Sequence, residues 1–497
     1  MNPRSGDHPA SRTTLRDIAL LLLLTCAAIL VHGYHPFAED AEIYVPQIRK
    51  LLHPALYPFN SQFFETHARL TFFPNLVAAL VRVTHLPLSA VLFLCHFFSI
   101  FLLLLACRRI ASKCFPTEAG RWAAVATIAA LLTLPATGTA LYLMDQYFNP
   151  RSISTFSILF AVDATLERKF FRAILWLAFT GLIHPLMIVF GAFYVVLLII
   201  TTNAAAKKAP AVSSAALGLA APSLLHPSPA FFQTLHDHPY YFVLRWSWYE
   251  WLGIFAPLAI LWWFSRIANA RQRPILKTLA LSLIPFGAAC FIGALVVSIP
   301  GIQFLAIGQP MRGFQLLYLL MLLIAGGLIG ETLLKKRVVL WAALFAPICA
   351  GMALAQFQLF PSDRHIEWPV AASANPWVQA FVWIRANTPP DAVFALNSDY
   401  MALPGEDHQG FRAIAARSSL ADAVKDWSAS AMFPGLPLAT ECLAQVHAVQ
   451  GWRNFSPADF QRLKQTYGVA WVVLERRPIA GLACPYQNGK VLVCRVN

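Results

Sequence analysis

Residues 37–54 read FAEDAEIYVPQIRKLLHP, directly after an apolar run at 17–34 that is long enough to cross a membrane. Three acids, Glu39, Asp40 and Glu42, therefore stand at the mouth of a span. Ala41, Tyr44, Val45, Ile48, Leu51 and Leu52 follow helical spacing, which predicts an amphipathic helix lying on the outer membrane face. Glu39 or Asp40 at its N-cap would satisfy free N–H groups and the helix macrodipole. That role needs one acid, and it does not explain three.

The rest of the chain sets the context. Of 497 residues, 58% are hydrophobic and 12% charged, with a mean hydropathy of +0.57. A soluble chain carries roughly 25% charged residues, so the composition predicts a mainly α, polytopic helical membrane protein. Candidate spans are 17–34, 87–107, 122–143, 151–166, 171–184, 185–202, 210–225, 251–266, 275–299, 312–333 and 338–358, about eleven crossings. Residues 71–84 are apolar but short, a half-span or an interfacial helix. The basic leader at 1–17 is followed by no small-residue cleavage site, so the first run reads as a retained span.

The net charge of +14 does not point to nucleic acid. Residues 1–360 hold 26 Lys/Arg against 13 Asp/Glu, whereas residues 361–497 hold 12 against 11. The excess thus lies in short loops between spans. Clusters at Arg4–Arg16, Arg108–Arg121, Arg168–Arg172, Lys207–Lys208, Arg266–Lys277 and Lys335–Arg337 all fall on one side if 171–202 is split at His184-Pro185. The positive-inside rule makes that side cytoplasmic. The expectation is an inner (plasma) membrane protein with a cytoplasmic N-terminus. Glu39, Asp40, Glu42, Glu65, Asp145, Asp237 and Glu250 then face outward.

Two domains follow: a transmembrane unit, 1–360, and a small extracytoplasmic α/β unit, 361–497. In the second, Asn375-Pro376 caps a helix that ends before TPPD, DAVFALN reads as a strand, and Ser456-Pro457 opens another helix. GVAWVVLE is a strand, and YQNGKVLVCRV a hairpin around Asn488-Gly489. Cys26, Cys95, Cys107, Cys114, Cys290 and Cys349 lie in or near spans, as small packing residues. Of Cys442, Cys484 and Cys494, an oxidising compartment would join two: Cys484 with either Cys442 or Cys494.

A first span followed by an acidic pair that opens an external loop with a juxtamembrane helix resembles the GT-C superfamily of membrane glycosyltransferases. Most of the chain shares the likeness, through its span number, orientation and external tail, and WIRANTPPDAVF looks like tails of bacterial members. The resemblance implies a polyprenyl-phosphate-linked sugar donor, a lipid, glycan or protein acceptor, and transfer at the outer face. The acceptor hydroxyl needs a general base, which a loop-one carboxylate can supply. Asp40 takes that role, with Glu39 as alternate and Glu42 as a weaker one.

The leaving phosphate needs positive charge from Arg, Lys or a divalent metal such as Mg or Mn. Asp145 in YLMDQYFNPRS is the second external acid; the fuller family form has two acids there, so no metal ligand set is assigned. Arg151 opens a helix at its N-terminus, where its charge opposes the macrodipole and a phosphate would explain it. Arg312, at the outer start of 312–333, is a second phosphate contact. His184 at an external span end, and Arg245 in the aromatic stretch LRWSWYEWLG, complete the substrate set. His236-Asp237-His238 has ligand types but no recognised metal spacing.

Two other classes fit part of this pattern. A transporter of lipid-linked sugars would use buried charge at mid-membrane, where only Asp163 is a candidate. A non-catalytic membrane scaffold would leave the loop-one acids without a task.

Overall fold

The computed structural model describes residues 14–205, 227–369, 371–475, 479 and 481–496. Seven helical segments among them are long and apolar enough to cross a membrane. They are α1 (Leu15–His32), α5 (Leu88–Cys114), α9 (Pro185–Ala205, apolar through Asn203), α11 (Trp248–Ala270), α12 (Pro274–Val296), a segment Gln303–Leu334 that contains α13 (Gly313–Ile329), and α14 (Val338–Leu359). Shorter helices complete the bundle: α4 (Phe73–Thr84), α6 (Glu118–Ala130), α7 (Pro150–Leu166) and α8 (Phe170–Ile183).

About eleven spans are expected, several of them short, and seven long ones are found among the described residues. The expected span 122–143 is the clearest correction: α6 stops at Ala130, and a hairpin of β1 (Pro135–Ala136) and β2 (Leu141–Tyr142) follows. Pro135 cannot donate to a continuing helix. Gly138 turns the chain at φ +56°, where a Cβ would meet the Trp246 ring at 2.4 Å. The expected span 210–225 lies outside the described residues. The break at His184-Pro185 is present, with α8 ending at Ile183 and α9 starting at Pro185.

The bundle core is built on α5, α6, α7, α12 and α13. Helices α6 and α13 approach closely because Gly326, Gly327 and Gly330 carry no side chain; a Cβ on Gly327 would lie 2.1 Å from Phe115. Small residues four apart are the usual means of close helix approach in lipid. By contrast, α14 buries only Gln356, so it lies on the outside of the bundle.

After α14 the chain forms a five-stranded mixed sheet, order β4-β3-β5-β7-β6. Its strands are β3 (Val393–Ala395), β4 (Ser418–Ser419), β5 (Trp471–Glu475), β6 (Ala483–Gln487) and β7 (Val491–Arg495). The β3 pairings are parallel, and β5–β7 and β7–β6 are antiparallel. The sequence expectations hold here. Asn375 accepts from Trp377 N to cap the helix Pro376–Asn387, Ser456 and Asp459 cap Pro457–Tyr467 reciprocally, and the Asn488-Gly489 turn joins β6 to β7. Cys484 bonds Cys494 across that hairpin and Cys442 stays a buried thiol, which resolves the two pairings left open.

The loop-one helix, α2 (Ala41–Leu52), departs from the expected surface helix. Ala41, Tyr44, Val45 and Ile48 face the bundle core as their spacing requires. The opposite face is also covered, because the short helix Phe411–Ala415 of the C-terminal domain packs on it. Glu42 and Ile43 are buried as a result.

Candidate functional site

Asp40 stands at the N-cap position of α2, yet its side chain makes no capping hydrogen bond. Its carboxylate goes to two cations instead. Oδ1 accepts from Lys425 Nζ at 3.0 Å, and Oδ2 pairs with Arg151 Nη1 at 2.8 Å. The stability role offered by helix capping is therefore not the one Asp40 performs. Burial would raise its pKa, but Lys425 and Arg151 outweigh burial and hold the carboxyl far below the usual carboxylate range. Asp40 is thus ionised, and weakly basic while both cations stay in place.

Arg151 extends this pairing. Its Nη2 lies 2.9 Å from Asp145 Oδ2, and Asn149 Nδ2 donates to the same oxygen at 2.6 Å. Asp145 and Asp40 therefore share one guanidinium. Two acids sharing a cation is the arrangement a metal would need, and here Arg151 occupies that position. Asp40 and Asp145 already hold Arg151 between them, a set that does not fit a divalent ion. The charge on Arg151 is met here by Asp40 and Asp145, so an anion at this position has to compete with two carboxylates.

Glu39 adopts φ +56°, a left-handed conformation that is uncommon for a residue other than glycine. This turn, with its N–H donating to His408 O at 2.8 Å, sends the Glu39 side chain to Lys425, the partner it shares with Asp40. Lys425 comes from Lys425–Ser430 in the C-terminal domain. Burial would lower its pKa, but Asp40 and Glu39 keep it protonated well above its ordinary value. Glu39, Lys425, Asp40, Arg151 and Asp145 form one chain of alternating charge.

Glu42 does not join them. Its Oε1 accepts from Arg412 Nε at 2.8 Å and Arg412 N at 2.9 Å, and its Oε2 accepts from Ala413 N at 2.9 Å. Arg412 is 1% exposed and also pairs with Asp422 and Asp426. Glu42 is 1% exposed and anchors loop one to the C-terminal domain, so it does not stand with Asp40 as a candidate base.

A cavity of about 100 Å³ lies beside Asp40. Arg151, His184 and Arg312 line it with Tyr44, His67, Tyr240, Tyr241 and Gln309. Four of the eight residues singled out from sequence thus meet around one space. Arg312 differs from Arg151: its Nε is buried with no hydrogen-bond partner, and among the described residues no carboxylate pairs with it. His67 donates or accepts with Tyr44 Oη at 3.1 Å, and burial pushes its imidazole down to about 4, so it is neutral. The apolar side of the cavity is Leu70, Ile183 and Leu186. Leu70 and Leu182 nearby are more than half exposed, as lipid-facing residues are.

Arg245 lies elsewhere. It is exposed, donates to His236 O, and stacks over Phe242 at 5.8 Å. Trp248 and Tyr249 beside it are exposed, as in an interfacial aromatic belt. His236 meets Gln303 and His238 meets Thr234 O, so the HDH triplet does not converge. Asp163 is held by Arg109 and Lys113 at the end of α5.

Sequence reasoning missed Lys425, His67, Tyr240, Tyr241 and Gln309. None carries a local signal; Lys425 is 385 residues from Asp40. A larger cavity, about 800 Å³, lies away from this site, between Phe37, Arg49 and Leu88 on one side and Trp368, Val378 and Arg385 on the other. No protein-family profile matches the chain, and no curated protein matches it.

Proposed function

We propose that the chain is a membrane glycosyltransferase that moves a sugar from a polyprenyl-phosphate donor to an acceptor hydroxyl at the outer membrane face. The observation that carries this reading is Arg312: a half-buried guanidinium whose Nε is buried without a hydrogen-bond partner, lining the same cavity as Asp40. A cation with an unmet buried donor beside a cavity persists where a ligand completes it. The phosphodiester of a polyprenyl-phosphate sugar carries one negative charge and matches Arg312. The apolar rim at Leu70 and Ile183 suits its isoprenoid chain.

In this mechanism Arg312 binds the donor phosphate and stabilises the charge that builds on it as the glycosidic bond breaks. Arg151 swings part of its hydrogen bonding from Asp40 to the same phosphate. Asp40 then loses one of its two cations, and its basicity rises when the donor is in place. It takes the proton of the acceptor hydroxyl as that oxygen attacks the anomeric carbon and polyprenyl phosphate departs. Glu39 holds Lys425 and is the alternate base. His184 and His67, at the cavity wall, are neutral hydrogen-bonding partners for the sugar.

The proposed topology places the N-terminus in the cytoplasm and residues 361–497 outside, with α6, α7 and α8 as partial crossings beside the seven long segments. The alternative of a lipid-linked sugar transporter has less support, because Asp163 is neutralised by its partners. The test is donor binding and transfer by purified wild type with a panel of polyprenyl-phosphate sugars and membrane-extract acceptors. Binding without transfer across the panel would favour a carrier, and no binding would remove the donor class altogether.

A further inference from the structure

A second polar cluster lies at the other end of loop one's first turn. Tyr34 pairs with Ile366 as a short parallel bridge, with Tyr34 N donating to His365 O at 2.9 Å and Glu367 N to Tyr34 O at 3.0 Å. This pairing sets His35, at the outer end of the first span, against Asp363 and Glu367, just past the last one. His35 Nδ1 is 2.9 Å from Glu367 Oε1, and the ring stacks on Phe360 at 3.8 Å. One ligand atom from each of His35, Asp363 and Glu367 lies within 4.8 Å of the others.

The cluster is short of positive charge. Asp407 and Glu406 are also near: Asp407 Oδ2 accepts from Ser362 N and Asp363 N, and Glu406 Oε2 accepts from Gln409 N. Among the described residues, no Lys or Arg pairs with any of these four carboxylates, and His35 is the only ion-pair partner. The second observation is Gln409, which is fully buried. Its Nε2 bridges Asp363 Oδ2 at 2.8 Å and Glu367 Oε1 at 2.9 Å, while its Oε1 has no partner. Asp363 Oδ1 and Glu406 Oε1 are likewise buried and unpaired. Each of these atoms can offer a lone pair, so the unmet demand is for a cation.

We propose that His35, Asp363 and Glu367 bind one divalent transition cation, of the zinc or manganese type. A buried imidazole nitrogen with two carboxylates is the donor set such ions prefer, whereas calcium and magnesium favour oxygen alone. Two ligands in adjacent positions on one such ion lie about 3 Å apart, which is the His35–Glu367 separation. Glu367 also lines the 800 Å³ cleft, which gives the ion a path in. Gln409 completes the shell: an amide turned over presents Oε1 to the ion, a turn that leaves the side-chain shape unchanged.

The consequence is mechanical. Gln409 bridges the chain at Ala38, and Glu39 N donates to His408 O, so an ion here would fix the strand that leads into Asp40. It would tie the first span, the last span and the C-terminal domain together next to the site without touching substrate. This inference does not depend on the glycosyltransferase proposal.

The test uses the full chain in detergent, stripped with chelator and then titrated with Mn²⁺ or Zn²⁺. Bound metal is read by elemental analysis and by the Mn²⁺ spin-resonance signal, with the thermal midpoint measured alongside. Wild type should take up one equivalent and gain thermal stability. Asp363→Asn and Glu367→Gln should each weaken uptake by at least about tenfold and lose the thermal gain. Because His35→Ala also removes the Phe360 stack, the two carboxylate variants carry the decision. Equal uptake by wild type and both variants, or no uptake by folded wild type, overturns the proposal. In the latter case the cluster is a hydrogen-bonded acid network.

Discussion

Replacing Arg312 with glutamine should make the ligand-free protein more stable and the donor complex weaker. The side chain is half-buried, its Nε is buried without a partner, and no carboxylate among the described residues pairs with it. A buried polar group left unsatisfied costs about 1–3 kcal/mol, and a neutral glutamine removes most of that cost along with the like-charge pressure on Arg151 across the same cavity. The expected gain is about 1–2 kcal/mol. A hydrogen bond from a charged group contributes about 1.5–3 kcal/mol, so affinity for a polyprenyl phosphate should fall roughly 10- to 100-fold.

Arg151→Gln supplies the contrast, since Arg151 is paired with both Asp40 and Asp145. Breaking a buried pair by removing one partner costs about 3–5 kcal/mol, so this variant should be destabilised. The assay is the thermal midpoint in detergent beside retention of a labelled polyprenyl phosphate, on wild type and both variants. If Arg312→Gln is destabilised like Arg151→Gln and binds the lipid normally, Arg312 is structural and the phosphate site is wrongly placed.

Glu42→Ala removes three accepted hydrogen bonds and leaves Arg412 with two of its acids; a loss of about 3–5 kcal/mol should appear as a lower thermal midpoint and faster proteolysis of residues 361–497. Burial pushes Asp426 up to about 7 although Arg412 pulls it down, with Asp422 adding to the rise. The folded state therefore holds this proton more tightly than the unfolded chain, and Asp426 lowers stability as pH rises from about 4 to about 7. Asp426→Asn should gain on wild type across that window in thermal melts. An intact-mass measurement should find one disulfide, and Cys484→Ser should cost about 2–3 kcal/mol by loop-closure entropy, while Cys442, fully buried, resists alkylation until the protein unfolds.

Local pattern carried much of this architecture. The seven long segments are visible as apolar runs, and the C-terminal elements as cap, turn and strand signatures at Asn375, Ser456 and Asn488. Asp40, Arg151, His184 and Arg312 could be chosen because each is polar near the end of an apolar run, where lipid leaves few roles for charge. What pattern could not show is which partner each one meets. Glu42 and Asp40 are two residues apart, yet one faces Arg412 and the other Lys425 and Arg151, because α2 is covered on both sides.

A domain packing on α2 leaves no trace in the helical period of α2 itself. The same holds for His35 and Glu367, which are brought together by a bridge across 332 residues. The failed span at 122–143 has a local cause that hydropathy averages away: Pro135 and Gly138 turn a run whose mean composition still looks helical.

In the proposed mechanism Asp40 acts on a polyprenyl-phosphate sugar held by Arg312. The most direct measurement is release of polyprenyl phosphate from such donors by wild type and Asp40→Asn in lipid nanodiscs, with donor retention measured on the same samples. Loss of a general base lowers transfer by about 10²- to 10⁴-fold. The expected result is that both proteins retain donor and only wild type releases the lipid phosphate in the presence of acceptor. Release by Asp40→Asn at the wild-type rate would contradict the claim, as would a wild type that retains no donor.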